Sequence, residues 1–305
     1  MHLITNFGAE ITLEDRELCN LVEIIPSNHE NISDFHQTIK YAYLFAKTIT
    51  LLNTNWSATN KVMLRNRRIG LSLTGITQFI AEKGISELKN WMETGYEISR
   101  KYDKVYSEWF AVPESIKITT VKPSGTLSLL AGVTPGIHFP ESRNYIRRVR
   151  LSKNSPYVKV LKNSNYHIED ALEDPENTVV VEFPVSLGDK VKTINESNLW
   201  EQMNLASFAQ ENWADNAVSV TVTFKKHEAN QIESALDIFQ FRMKSVSFLP
   251  KLDGETPYKQ MPYEEISESQ YKKMTSKITP LDFSDMLSVD SNSEMYCESD
   301  VCMVL

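Results

Sequence analysis

Only three of the 305 residues are cysteine, too few for a disulfide framework in a chain of this length. No run of about twenty apolar residues occurs, so no helical membrane span is expected. Met1-His2-Leu3-Ile4 lacks the basic start and long apolar stretch of a signal peptide, and the expected location is cytoplasmic. Positive charge is not in excess: a formal net charge of -8 argues against a general nucleic-acid-binding surface. The Walker phosphate-loop frame and the dinucleotide fingerprint are both missing, and there is no internal repeat.

What is present is the composition of a globular chain, 41% hydrophobic and 24% charged, long enough for one large core or two modest ones. The stretch that organises the rest is Ile116 to Pro140, IKITTVKPSGTLSLLAGVTPGIHFP. A β-branched run, Ile116 to Val121, breaks at Pro123 and Gly125, and a helix-like segment, Thr126 to Ala131, follows at once. A strand, tight loop and helix start in that order leave backbone N–H groups pointing outward. Ser124 and Thr126 add hydroxyl donors, which suits a phosphate. An ordinary capped helix after a strand fits the same residues.

Along the chain, Asn6 to Cys19 has no strong period and is expected to be a loop leading into a short strand at Asn20 to Glu23. Phe35 to Trp56 places apolar residues at helical spacing and predicts a buried helix. Asn66 to Gly75 is a basic hook entering a short apolar run, with two glycines that allow close backbone approach. Gly84 to Phe110 predicts a long amphipathic helix. Beyond Pro140 the expected order is strand Thr178–Phe183, helix Asn198–Trp213 capped by Ser197, strand Ala217–Phe224, helix Glu228–Met243 and strand Ser245–Leu249. Alternating strands and helices indicate an α/β architecture. A polar stretch with a short helix, Glu264 to Met274, follows, and from Pro280 the composition predicts disorder. Arg143, Arg147, Arg148 and Arg150 are set to face an anion or simply solvent.

Cys297 and Cys302 lie within the last nine residues. A pair that close on a tail suits reversible thiol–disulfide exchange; zinc is the rival explanation, but two thiolates without nearby histidine make half a site. His138 is a lone histidine, more often structural than a ligand, and no metal ligand is assigned.

Four separated blocks, RNRRIGLSLTGITQF, KPSGTLSLLAGVTPGIHFPESRNYIRRVRLSKNSPYV, WADNAVSVTVTF and FRMKSVSFLP, with the cysteine-pair tail, resemble the C-terminal part of the adenosylcobalamin-dependent, monomeric class II ribonucleoside-triphosphate reductases. The resemblance implies the later portion of a ten-stranded α/β barrel over residues 1–250, including a central finger loop. A polar segment over 251–280 and a flexible redox tail over 281–305 follow. It implies adenosylcobalamin as cofactor, ribonucleoside triphosphate as substrate and thioredoxin or a similar dithiol as reductant. It also implies an N-terminal reductase half, absent here, that can act in trans. No nucleic acid or membrane partner is implied.

In that family a thiyl radical removes the ribose 3′-hydrogen, a glutamate takes the 3′-hydroxyl proton, and two further cysteines supply electrons. The finger pattern Asn-x-Cys-x-Glu falls on Asn6-Phe7-Gly8-Ala9-Glu10. Asn6 and Glu10 match; Gly8 stands at the radical-cysteine position. Cys19 matches one cysteine of the active-site reducing pair, Pro123, Ser124, Gly125 and Thr126 match the segment that holds substrate phosphates, and Cys297 and Cys302 match the shuttle pair. Gly8 leaves three functional readings: an incomplete reductase awaiting its other half, a non-enzymatic nucleotide-binding paralogue, or a small enzyme in which Cys19 carries the radical.

Overall fold

The computed structural model describes residues 3–5, 8–251, 259–284, 295–298 and 301–304. In chain order the first elements are β1 (Leu3–Thr5), β2 (Thr12–Glu14), β3 (Leu21–Ile24), α1 (Ile32–Ile49), α2 (Ser57–Asn66), β4 (Gly70–Leu73), α3 (Ile76–Lys83), α4 (Ile85–Phe110), β5 (Thr119–Thr120) and α5 (Leu127–Ala131). Then come β6 (Asn144–Ser152), α6 (Pro156–Asn163), β7 (His167–Asp170) and β8 (Thr178–Ser186). The last are α7 (Leu199–Asn212), β9 (Thr221–Phe224), α8 (Ile232–Phe239), β10 (Ser247–Pro250), β11 (Tyr263–Glu265), α9 (Glu268–Thr275), β12 (Met295–Glu298) and β13 (Val301–Val304). Packing groups these into two units, Met1–Glu141 with Asp189–Asp253, and Ser142–Gly188 with Gly254–Leu305. That grouping is discontinuous in sequence, whereas the partition expected from the sequence is linear.

The first unit is built on parallel strands. β3 pairs with β4 and β4 with β5, a parallel bridge joins Val121 to Val218, and β9 pairs in parallel with β10. Helices cross over between them, as parallel pairing requires. α1 and α4 cover this unit because their apolar stripes have nowhere else to go. Phe35, Ile39 and Tyr43 of α1 and Trp91, Met92 and Tyr106 of α4 are all at most 2% exposed, each contributing about 1.5–3 kcal/mol by burial. Phe35 stacks near Trp91 with ring centroids 5.0 Å apart. Gly95 makes this approach feasible: a Cβ there would lie 2.9 Å from Phe35 Cε1.

Between these helices Lys47 and Asp103 form an ion pair at 2.8 Å with both side chains 0% exposed. Lys47 also donates to Pro113 O and Ser115 Oγ, while Asp103 Oδ2 accepts the Ser115 N–H.

The second unit is an antiparallel sheet in the order β11-β6-β8-β7. Arg147, Arg148 and Arg150 lie on β6, a strand that its polar residues concealed, and Arg143 just precedes it. Arg148 does not face open solvent: its guanidinium pairs with the chain's own Glu182 carboxylate at 2.7 Å and with Glu264. β12 and β13 form a ladder in which Cys297 and Cys302 are register partners. The flexible tail expected from residue 281 falls mostly outside the described residues.

Several boundaries differ from expectation. α7 is capped by Asn198, whose side chain accepts the Glu201 N–H, not by Ser197, whose hydroxyl donates to Ile194 O at 3.0 Å. The helix expected from Phe35 ends at Ile49, and α2 follows as a separate element. Among the described residues no helix is long and apolar enough to cross a membrane.

Candidate functional site

A hairpin pairing stands where a loop was expected: β1 and β2 pair antiparallel from Leu3↔Glu14 to Thr5↔Thr12. Strands of three residues leave too little alternation to show a period in sequence. The hairpin tip reaches the parallel strands. Glu10 O accepts from Thr120 Oγ1 at 2.7 Å and from the Ala217 N–H at 2.9 Å, and Ala9 O accepts from Ser245 Oγ at 3.3 Å. Ile11 is 1% exposed and lies over Gly70, where a Cβ would come within 2.6 Å of Ile11 Cδ1. Ala9 adopts φ 58°, a strained conformation for a residue with a side chain, held by these anchors. Asn6 lies outside the described residues.

Glu10 is 3% exposed, and its Oε2 has no hydrogen-bond partner among the described residues. A Cβ built on Gly8 would lie 2.1 Å from that oxygen. The Glu10 carboxyl therefore fills the space in which any side chain at position 8 would begin.

A second carboxyl stands near it. Glu23, in the middle of β3, has a side chain only 2% exposed, with Lys122 Nζ 3.9 Å from Oε2, beyond hydrogen-bond range. Neither of its oxygens has a partner among the described residues. Burial pushes the Glu23 carboxyl up to about 7; the Lys122 ammonium opposes the rise, and the charge on Glu10 adds to it. Glu23 went unassigned from sequence, although a signal was present: one acid inside an otherwise apolar strand, Leu21-Val22-Glu23-Ile24, of a sheet type buried on both faces.

Lys122 opens the loop expected to hold phosphate. Its N–H donates to Ser72 Oγ at 2.9 Å, and Ser72 is the register partner of Glu23. Ser124 takes φ 55°, is 4% exposed, and turns its hydroxyl back to Lys122 O at 3.3 Å. The expected outward donation from Ser124 is thus not what the side chain does here. Gly125 and Thr126 are exposed. α5 has five residues, so a full helix dipole is not available at this loop. Gly136 supports the loop from behind: it has φ +53°, and a Cβ there would lie 2.4 Å from Lys122 O.

A cavity of about 360 Å³ opens beside the loop, lined by Pro123, His138, Phe139, Gln202 and Thr221 among others. His138 is a bracing residue: its Nε2 accepts the Thr221 N–H at 3.0 Å, and burial lowers its pKa. Among the described residues no cluster of three metal-ligating side chains exists. Cys19 is exposed, next to a cavity of about 590 Å³ lined by residues that include Arg16, Leu18 and Trp56. The structure thus gathers Glu10, position 8, Glu23 and Lys122 into one neighbourhood.

No family model matches the chain. It is 48% identical over 300 residues to a protein of Dictyostelium discoideum named as a probable adenosylcobalamin-dependent ribonucleoside-triphosphate reductase, covering 97% of this chain and 39% of that protein. It is 45% identical over 302 residues to the adenosylcobalamin-dependent ribonucleoside-triphosphate reductase of Euglena gracilis, covering 97% of this chain and 41% of that one. The chain therefore spans about two fifths of these relatives. A crystal structure of a B12-dependent (class II) ribonucleotide reductase superposes with a TM-score of 0.83 at 31% identity, over 90% of this chain and 42% of that one. The class Id ribonucleotide reductase alpha subunit of Actinobacillus ureae, at 15% identity and a TM-score of 0.53 over 81% of this chain and 53% of that one, shares the fold alone. In sequence and in mixed α/β fold, the chain is homologous to part of the adenosylcobalamin-dependent, class II ribonucleoside-triphosphate reductases.

Proposed function

We propose that this chain is the later portion of a reductase that converts ribonucleoside triphosphates to deoxyribonucleoside triphosphates, with adenosylcobalamin as cofactor, and that it is catalytically incomplete alone. The observation that carries the reading is the buried hairpin tip, with the Glu10 carboxyl against position 8. A finger loop that delivers a radical group and a base to one ribose needs those two side chains side by side. Five parallel stretches in sequence order, from β3 through the Val121↔Val218 bridge to β10, support a half of the ten-stranded barrel. The remaining strands belong to the part of the relatives that this chain does not cover.

In this reading Glu10 takes the 3′-hydroxyl proton as a general base, with Asn6 bonding the ribose. Pro123 to Thr126 hold the phosphates, Cys19 is one of the reducing pair, and Cys297 with Cys302 passes electrons from thioredoxin or a similar dithiol. Gly8 has no side chain to carry a radical. The cofactor supplies radical chemistry in the assembled enzyme. Neither cavity, about 360 Å³ or about 590 Å³, encloses a group as large as adenosylcobalamin, so no holding residues are assigned in this chain and no step is derived through it. The same glycine, with Glu10 folded over it, favours a second reading: a nucleotide-binding paralogue without turnover.

Triphosphate binding tests what both readings share. A Cβ at Gly125 meets nothing within 4 Å, so Gly125→Glu should fold and place a negative charge on the loop. Calorimetry should show ATP binding by the chain and its loss in Gly125→Glu. Equal binding by both would remove the phosphate loop from the account.

A further inference from the structure

This chain satisfies its structural buried carboxylates. Asp103 meets Lys47 at 2.8 Å and the Ser115 N–H at 2.9 Å. Glu17, 6% exposed, accepts from Arg68 Nε, Asn66 Nδ2 and the Glu14 N–H at 2.8–3.0 Å. Glu228, 5% exposed, accepts the Leu199 and Lys225 N–H groups. Glu10 Oε2 and both oxygens of Glu23 depart from this pattern: they are buried with no partner among the described residues. Each such orphan costs about 1–3 kcal/mol, and native chains rarely leave them without a reason.

The surroundings define what would satisfy them. Carboxyl oxygens call for O–H or N–H donors. The cation within ion-pair distance, Lys122, stops at 3.9 Å with its side chain 36% exposed, so it can turn toward an anion on its own loop. A ligand that brings hydroxyl donors to two neighbouring carboxyls and an anion to the adjoining loop is a nucleotide with a vicinal diol. This inference rests on the nucleotide-binding reading above.

We propose that Glu23 is a specificity-determining residue that accepts a hydrogen bond from the ribose 2′-hydroxyl, beside Glu10 at the 3′-hydroxyl, so that the chain selects ribonucleotides over 2′-deoxyribonucleotides. A site that hydrogen-bonds a substrate hydroxyl discriminates against the analogue lacking it, because the buried partner is left orphaned again. For one hydrogen bond the expected preference is about tenfold.

The test is calorimetric titration of the purified chain with ATP, 2′-deoxy-ATP, 3′-deoxy-ATP and tripolyphosphate, repeated with Glu23→Ala and Glu23→Gln. The wild-type chain should bind ATP about tenfold more tightly than 2′-deoxy-ATP, a comparison that needs no variant. Glu23→Ala should bring ATP down to the 2′-deoxy-ATP level, leaving tripolyphosphate affinity and the discrimination against 3′-deoxy-ATP in place. Glu23→Gln, which keeps an acceptor oxygen and nearly the same shape, should retain part of the preference. Equal loss of ATP and 2′-deoxy-ATP binding in Glu23→Ala would overturn the proposal and make Glu23 a holder of Lys122. Tripolyphosphate binding with no preference between ATP and 2′-deoxy-ATP would overturn it while leaving the phosphate loop standing. Absence of any triphosphate binding would overturn both.

Discussion

Glu23 should make the first unit less stable as the pH rises, and Glu23→Gln should remove that dependence. The carboxyl is held at about 7 instead of its ordinary 4.5, chiefly because burial disfavours the charged form. The folded-state value lies above the unfolded one. The contribution of Glu23 is therefore complete below about pH 4.5 and is lost as the pH climbs through 7. A rise of that size is worth up to about 3 kcal/mol at roughly 1.36 kcal/mol per pH unit, and solvent relaxation around Lys122 brings the expectation to about 1–3 kcal/mol. The residues facing the carboxyl are Lys122, which opposes the rise, and Glu10, which adds to it.

Urea unfolding followed by tryptophan fluorescence is the assay, because all five tryptophans, Trp56, Trp91, Trp109, Trp200 and Trp213, lie in the first unit. Wild type and Glu23→Gln should have similar stability at pH 5. The variant should be more stable by about 1–3 kcal/mol at pH 8.5. A difference that does not vary with pH, or that favours the wild type at high pH, would refute the reasoning.

Lys47→Met should cost about 3–5 kcal/mol, because it strands Asp103 as a buried charge, and adding Asp103→Leu should restore most of that loss; thermal melts of the single and double variants decide it. Gly136→Ala combines a left-handed φ of +53° with a Cβ 2.4 Å from Lys122 O. It should lower stability by about 2 kcal/mol or more and weaken ATP binding, read by melting and calorimetry. Mild oxidation should link Cys297 to Cys302, which the β12–β13 register places opposite each other, leaving Cys19 open to alkylation. Peptide mass mapping that finds Cys19 in the link would contradict this.

The long elements were legible because their periods are long. α1, α4, α7 and β8 each repeat an apolar spacing often enough to be read. The hairpin of β1 and β2 was not, since three-residue strands gain their stability from tertiary anchors such as Thr120 Oγ1 on Glu10 O. β6 was hidden by its arginines, of which Arg148 is paired across strands with Glu182 and Glu264, partners remote in sequence. Glu10 was singled out through its frame with Asn6 and Gly8. Glu23 has no frame; its meaning lies in what it fails to bond, which only coordinates reveal. The loop at Lys122 to Thr126 was placed correctly as a break between strand and helix, but the inward turn of Ser124 depends on its positive φ and on Gly136 behind it.

The most direct measurement is deoxyribonucleotide formation from a ribonucleoside triphosphate, with adenosylcobalamin and a dithiol reductant. It compares the unmodified chain with Gly8→Cys, each alone and mixed with the N-terminal portion of a relative. The account expects turnover in the Gly8→Cys mixture alone, the new thiol having displaced the Glu10 carboxyl from the space above position 8. Turnover by the unmodified chain without a partner would contradict the central claim and shift the radical role to Cys19.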